Sequence, residues 1–519
     1  MTTLMTRRLG GALLALLVGL MLLPASASAA TFVVNSSADP GVDGVCDATE
    51  CTLREAIEEA NGNDESDTIT FDLAEGDREI LLSGTQLEIA NDMADPDLTI
   101  DGDGDGDGDG DGDGDGDGTL DITIDAQDNS RVFSIASGAS ATLAGLVITG
   151  GDAGGANGGG IDNEGTLTVT KSTISGNDAG GGGGIFNIDG TLTVTNSTIS
   201  GNSTISEGGG ITNDGGTLTV ANSAISGNDT RVGGGIFNID GTLTVANSTI
   251  SGNDAILGGI FNVGTLAVNN STISGNDAVT DGGGIFNDDI LEIKSTIVAG
   301  NTATDGADCF NAGTITSLGF NLDGGTSCGF TATGDQQDVA VAGVLVTDAS
   351  GDPVLADNGG PTQTIALRDA DDNPALDAVP LEDCTDTEGM PVLFDQTGTL
   401  RPQPADGNCD IGAFELVQGA PITIADVIEL FDAAVADGTL RGAGPGNSAR
   451  GRLNALRNML LTAGDLLEQG EVDAACRQLQ DVADRTDGAF PPPDFAQGPA
   501  APDLLDAITE LQDELGCFA

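Results

Sequence analysis

Residues 184–202 read Gly-Ile-Phe-Asn-Ile-Asp-Gly-Thr-Leu-Thr-Val-Thr-Asn-Ser-Thr-Ile-Ser-Gly-Asn. The opening of this phrase returns about every 25 residues. Its Ile falls at Ile161, Ile185, Ile211, Ile236, Ile260 and Ile285, at intervals of 24, 26, 25, 24 and 25. A fixed period of that length marks a solenoid. Each period holds three short runs separated by Gly and Asn turns. In Thr191-Leu192-Thr193-Val194 the alternation sends Leu192 and Val194 to one side and the threonines to the other. Leu167/Val169, Leu218/Val220, Leu243/Val245, Leu266/Val268 and Leu291/Ile293 repeat it, and Ile174, Ile199, Ile225, Ile250, Ile273 and Ile297 supply a third inward position. Parallel stacking of such coils at ~4.8 Å predicts a β-helix with an aliphatic core. An α-solenoid of the same period conflicts with the Gly and β-branched content.

The remaining repeated residues form rows. Asn163, Asn187, Asn213, Asn238, Asn262 and Asn287 make one column, and Asn177, Asn202, Asn228, Asn253, Asn276 and Asn301 a second. Each is expected to stack as an amide ladder at a turn. Sequons such as Asn196 and Asn247 arise from the same repeat and carry little weight. Asp178, Asp229, Asp254 and Asp277 follow the second column, with Ser203 interrupting. Neighbouring carboxylates ~5 Å apart in water repel by about 0.8 kcal/mol per pair, which bound calcium would relieve and outward splay would reduce. Phe186, Phe237, Phe261 and Phe286 follow inward Ile residues. They are expected to point outward as a docking stripe, broken at Thr212, unless the helical domain or a loop covers them or the local register turns them inward.

Composition narrows the chemistry. The chain has 519 residues and contains no His, Trp or Tyr. A Ser-His-Asp triad is therefore impossible, while paired carboxylates remain open. Sixteen basic residues face 82 acidic ones, for a net charge of −66. Such a surface repels nucleic acid and anionic lipid; it suits high salt, carboxylate-held calcium, or solubility alone. Arg7-Arg8, the apolar run from Leu9 to Leu23 and the small residues from Ala25 to Ala30 read as a cleaved secretory leader over 1–30. No later segment reads as membrane-spanning. Eight cysteines fit an oxidising compartment: Cys46, Cys51, Cys309, Cys328, Cys384, Cys409, Cys476 and Cys517. Eight allow 105 pairings, and pairing between chain neighbours keeps each bridge inside one proposed unit.

Residues 101–118 are nine Asp-Gly pairs, read as an acidic loop. Asp113, Asp115, Asp117 and Asp121 have the spacing of half an EF-hand loop, but Ile124 stands where the bidentate Glu belongs. Weak calcium binding and simple repeat expansion both remain open there.

Three segments carry resemblances. Cys51-Thr52-Leu53-Arg54-Glu55-Ala56, within a predicted amphipathic helix over 51–61, resembles the CSLREA domain of secreted bacterial β-helix proteins. That resemblance implies an N-terminal cap on a right-handed parallel β-helix. The repeats resemble those of such proteins and, more loosely, of polymorphic outer-membrane proteins. Asp357-Asn358-Gly359-Gly360-Pro361-Thr362, Asn373-Pro374-Ala375-Leu376-Asp377, Asp395-Gln396, Arg401-Pro402-Gln403 and Cys409-Asp410-Ile411-Gly412-Ala413-Phe414-Glu415 resemble the choice-of-anchor Q domain, which implies a closing unit. The last hundred residues read as four helices and look like a FIMAH-type domain.

The expected fold class is thus mainly β: a right-handed parallel β-helix with a small α-helical C-terminal domain. The expected divisions are a leader (1–30), a cap with first coils (31–142), repeats and following coils (143–345), a closing unit (346–418) and a helical domain (419–519). The expected function is a secreted or cell-surface structural or adhesive protein. Its partner would be a cell-envelope component, a glycan, or a host or neighbouring surface; nucleic acid is not expected. Calcium is the one cofactor suggested. The alternative is a calcium-dependent lyase or hydrolase acting on acidic glycans. The basic residues of the coils (Lys171, Arg231 and Lys294) share no column, and no catalytic motif is visible.

Overall fold

The computed structural model describes residues 29–41, 44–62, 66–90, 97–102, 122–370, 372–402 and 407–417. Beyond these it describes 424–437, 439–443, 447–468, 472–483, 485–486, 495–497, 500–515 and 517. The leader to residue 28, and Asp113, Asp115, Asp117 and Asp121, lie outside the described residues. The chain divides into two compact units, Met1–Leu416 and Val417–Ala519.

The first unit is a right-handed parallel β-helix. Each coil lays one strand on each of three faces. In the coil quoted above these are Ile185–Ile188 on the first face, Thr191–Thr195 on the second and Thr198–Ser200 on the third. Register is strict: Ile185 pairs with Ile211, Leu192 with Leu218 and Ile199 with Ile225. Like therefore sits on like, and the inward Ile, Leu and Val form one continuous core. Each such side chain gains about 1.5–3 kcal/mol on full burial. In two coils the first two faces share one long strand, Ile236–Ala246 and Ile260–Asn269. A short fourth ladder, not anticipated, joins Asp178–Ala179 to Ser203–Thr204 and Asp254–Leu257 to Asp277–Asp281.

The corner from the second face to the third turns on a single residue in left-handed conformation. It is Asn196, Asn222, Asn247 and Asn270 in successive coils, with φ of 46–50°. Asn tolerates this region better than most side chains. The apparent sequons are thus corner residues. In one early coil Asp101 pairs with Ala144 and Ile122 with Leu146. The next coil passes from Ala144 to Leu146 through Gly145 alone, with φ of 64°.

Helix α1 (Leu53–Ala60) packs against the strands Thr31–Val34, Thr68–Phe71 and Leu87–Ile89. Each residue of the matched hexapeptide has a task there. Cys51 bonds to Cys46. Thr52 and Glu55 form a reciprocal capping box. Leu53, Ala56 and Ile57 are buried. Arg54 donates to both carboxylate oxygens of Asp39 at 2.6 and 3.0 Å and to the carbonyls of Thr85 and Gln86.

The segment from about 339 to Leu416 does not simply close the open end. It returns along the outside of the third face as a strap. Val344, Leu345, Ile365, Leu367 and Ile411 form a second core with Ile297 and Leu322. Gln396 ties it down, accepting from Thr249 Oγ1 at 2.6 Å and donating to Ser223 O, Thr362 Oγ1 and Gln363 O. Gly412 lies against Ile297 and Thr272, where a Cβ would come within 2.8 Å of Ile297 Cδ1. The Gly of Cys-Asp-Ile-Gly-Ala-Phe-Glu is thus set by close approach.

The second unit contains α2 (Ile424–Asp437), α3 (Asn447–Glu468), α4 (Val472–Ala483) and α5 (Ala501–Glu514). Val427, Phe431, Leu456, Leu460, Leu479 and Ile508 are buried in its core. The disulfides join chain neighbours throughout: Cys46–Cys51, Cys309–Cys328, Cys384–Cys409 and Cys476–Cys517.

Candidate functional site

The Asn columns are consumed by structure. Asn163 Nδ2 donates to Asn187 Oδ1 at 2.6 Å, and the series runs on through Asn213, Asn238, Asn262 and Asn287 to Asn311 at 2.7–2.8 Å. The second series links Asn177 to Asn301 at 2.9–3.0 Å and ends on Asp308 Oδ1 at 3.0 Å. A third ladder was missed in the sequence. The amide nitrogens of Ser172, Ser197, Ser223 and Ser248 each donate to the Ser hydroxyl of the next coil at 3.1–3.2 Å. Its signal was the Ser after each corner Asn.

The carboxylates stand in register. Asp152 pairs with Asp178, Ser203 with Asp229, Asp229 with Asp254, Asp254 with Asp277, and Asp277 with Thr302. Asp178, Asp229, Asp254 and Asp277 are exposed. The row thus begins one coil earlier than the sequence reading placed it. Partial burial, then Asp229 and Asp277 on either side, hold Asp254 above the usual carboxylate range. Asp178 is raised likewise, by partial burial and then Asp152 and Asp128. A second acidic group, also missed, lies at the turn between the first two faces: Asp214 is raised by partial burial and then by Asp189 and Asp240. The Asp of the Ile-Asp-Gly turn was its signal. Among the described residues no three carboxylate, thiol or imidazole groups gather as a metal site.

The aromatic row differs from a simple exposed stripe. Phe237, Phe261, Phe286 and Phe310 stack with centroids 5.3, 4.6 and 4.9 Å apart and ring planes within 12–19°. The rings are half-buried, and their faces are spent on one another, so edges are presented to solvent. Phe186 is 4% exposed, with Gly181 lying against its ring, and is not part of an open surface. Its register partner Thr212 separates it from the stack. Phe310 extends the row by one coil beyond Phe286, in a coil where Cys309 replaces the usual Ile.

Two basic side chains of the coils, Arg131 and Lys294, are engaged. Arg131 bonds Asp162 at 3.0 Å, Gln86 and the carbonyls of Asn157 and Gly158. Lys294 donates under the strap to Thr385 Oγ1 and the carbonyl of Asp386. Burial pushes its amine below the usual lysine range, against the pull of Asp383 and Asp386.

Buried carboxyls mark two joints. Asp308 and Asp323 hydrogen-bond each other, and burial raises Asp308 to about 6. Within the strap, Arg401 bonds Glu415 at 3.2 Å and the carbonyls of Asp410 and Gly412. Burial, and then the neighbouring Glu415, push Asp410 up to about 7.

The fold places this chain among parallel β-helix proteins. No protein-family model matches it, and no curated protein does. Among solved structures, that of pectate lyase Pel9A is similar at 13% identity and a TM-score of 0.43, over 75% of this chain and 97% of that one. No helix among the described residues is long and apolar enough to cross a membrane.

Proposed function

We propose that the chain is a secreted or cell-surface structural and adhesive β-helix protein, whose coils present a rigid surface to a cell-envelope component, glycan or neighbouring surface. One observation carries the reading. The polar residues most faithfully repeated, Asn and Ser, are spent on axial hydrogen-bond ladders. What repeats on the outside is a row of carboxylates, a row of ring edges and a column of exposed threonines, Thr166, Thr191, Thr217, Thr242 and Thr265. Four intramolecular disulfides are compatible with an extracellular setting. The cap helix supports kinship with CSLREA-type secreted proteins, because every residue of that hexapeptide is used where the first coil would otherwise lie open. A lyase reading is less well supported, since the one buried lysine of the coils is tied to the strap.

Incubation of the purified chain with cell-envelope fractions and with a polysaccharide panel, with and without calcium, tests this. Retention on an envelope fraction or glycan without release of shorter chains is the expected result. Time-dependent cleavage overturns the structural reading.

A further inference from the structure

Between the strap and the row that carries Asp277 runs a groove of about 460 Å³. Its floor is Gly227, Gly252, Gly275 and Gly300. All four have φ between 63° and 75°, so a side chain is disfavoured at each. The hydroxyl of Ser251 lies over this floor, since a Cβ on Gly275 would come within 3.3 Å of Ser251 Oγ. Ser251 is only 4% exposed, and among the described residues its hydroxyl has no hydrogen-bond partner. The hydroxyl opens onto the groove, where a ligand can pair with it.

The walls define the ligand. Asp277 stands on one side and Asp352 on the other. One oxygen of Asp277 accepts from Thr302 at 2.6 Å, which leaves the other to accept again. Ionised carboxylates only accept, so a partner must bring donors. The net charge of −66 and both walls repel an anionic chain. Pro353 and Leu355 add an apolar side for C–H surfaces. The floor repeats Ser and Gly from coil to coil at ~4.8 Å, which favours a ligand that is itself linear and periodic.

We infer that this groove binds a linear neutral glycan. Asp277 and Asp352 accept hydrogen bonds from its hydroxyls, and Ser251 is paired through it. The inference rests on the adhesive reading and names its ligand class.

The test is calorimetric titration of the full chain with hexasaccharides of β-1,4-glucose, α-1,4-glucose, β-1,4-xylose, galacturonic acid and glucosamine. At least one neutral hexasaccharide is expected to bind with Kd below ~1 mM, and the galacturonate not to bind. Asp352→Ala, on the exposed strap, and Ser251→Ala are each expected to weaken binding about tenfold, Asp352→Ala without changing the thermal midpoint. The inference is overturned if no neutral glycan binds, if both variants bind as wild type, or if galacturonate or glucosamine binds more tightly than every neutral chain. The two readings fail separately. Retention on envelope fractions that survives both substitutions removes the groove and leaves the adhesive role standing.

Discussion

Two buried carboxyl groups, Asp308 and Asp410, contribute to the pH dependence of stability. Asp308 takes the place of the next amide at the end of the second Asn ladder, accepting from Asn301 through Oδ1. Its other side meets Asp323, which accepts from the amides of Gly325 and Cys328. Burial, and then the neighbouring Asp323, raise Asp308 to about 6. Asp410, beside Glu415, rises to about 7. A carboxyl raised by folding contributes stability that is complete below its unfolded pKa and is lost as pH climbs through the folded value. The thermal midpoint should therefore fall as pH is raised from about 4 to 8, which a series of calorimetric melts will show. Asp308→Asn should reverse part of that loss. An amide at 308 can accept from Asn301 and donate to Asp323 at any pH, as the carboxyl does only while protonated. The variant is expected to be about 1–3 kcal/mol more stable than wild type at pH 8 and equal to it near pH 4. Denaturant titrations at the two pH values measure the difference.

At the scale of elements, the ladders and the aromatic stack behave as one-dimensional chains, in which an interior link matters most. Asn238 donates to Asn262, accepts from Asn213 and is fully buried. Asn238→Ala takes one acceptor from the Asn213 amide, which keeps Gly216 O, and removes the donor to Asn262 Oδ1; it should cost about 1–3 kcal/mol, with faster amide exchange in the two flanking coils. Phe261 is stacked on both faces. Phe261→Ser should cost about 0.5–1.5 kcal/mol per lost ring pair beyond the area exposed, whereas Phe310→Ser breaks a single stack, that with Phe286, and should cost less. Equal losses at both positions would show that the rings act singly. The inward Ile, Leu and Val, the Asn columns and the exposed Asp row were all legible in the sequence, because each is a residue type repeated at one phase of the period. The ring geometry was not. Whether outward rings show faces or edges depends on how neighbouring coils stack, and no residue spacing encodes that.

At the scale of the molecule, the strap is the part whose location only the tertiary structure reveals. Its phrases were readable, but they predicted a closing unit without saying against what. Gln396 reaches two coils through Ser223 and Thr249, while Ala413 and Gly412 reach the next two through Thr272 and Ser295. Gln396→Ala should loosen this seam by about 1–3 kcal/mol and raise amide exchange in Thr249–Ser251 while the cap helix stays protected. The acidic row gives a separate whole-molecule test. If cations relieve the repulsion among Asp229, Asp254 and Asp277, calcium at millimolar concentration should raise the thermal midpoint of the first unit, and chelator should reverse it. An unchanged midpoint removes calcium from this row.

The period alone determined that the chain is a solenoid of parallel coils with an aliphatic interior. Identical residues 24–26 apart must fall in register once one coil is placed on the next. Local chemistry likewise determined the cap, since Thr-Leu-Arg-Glu closes its own box within one turn. Three things were left to the tertiary structure: the strap's seat on the third face, the groove it leaves beside Asp277, and the buried contact of Asp308 with Asp323. Each brings together residues separated along the chain by 15 to 173 positions, by contacts outside the repeat. A period can encode what each coil does to its neighbour. It cannot encode where a segment that lacks the period will come to rest.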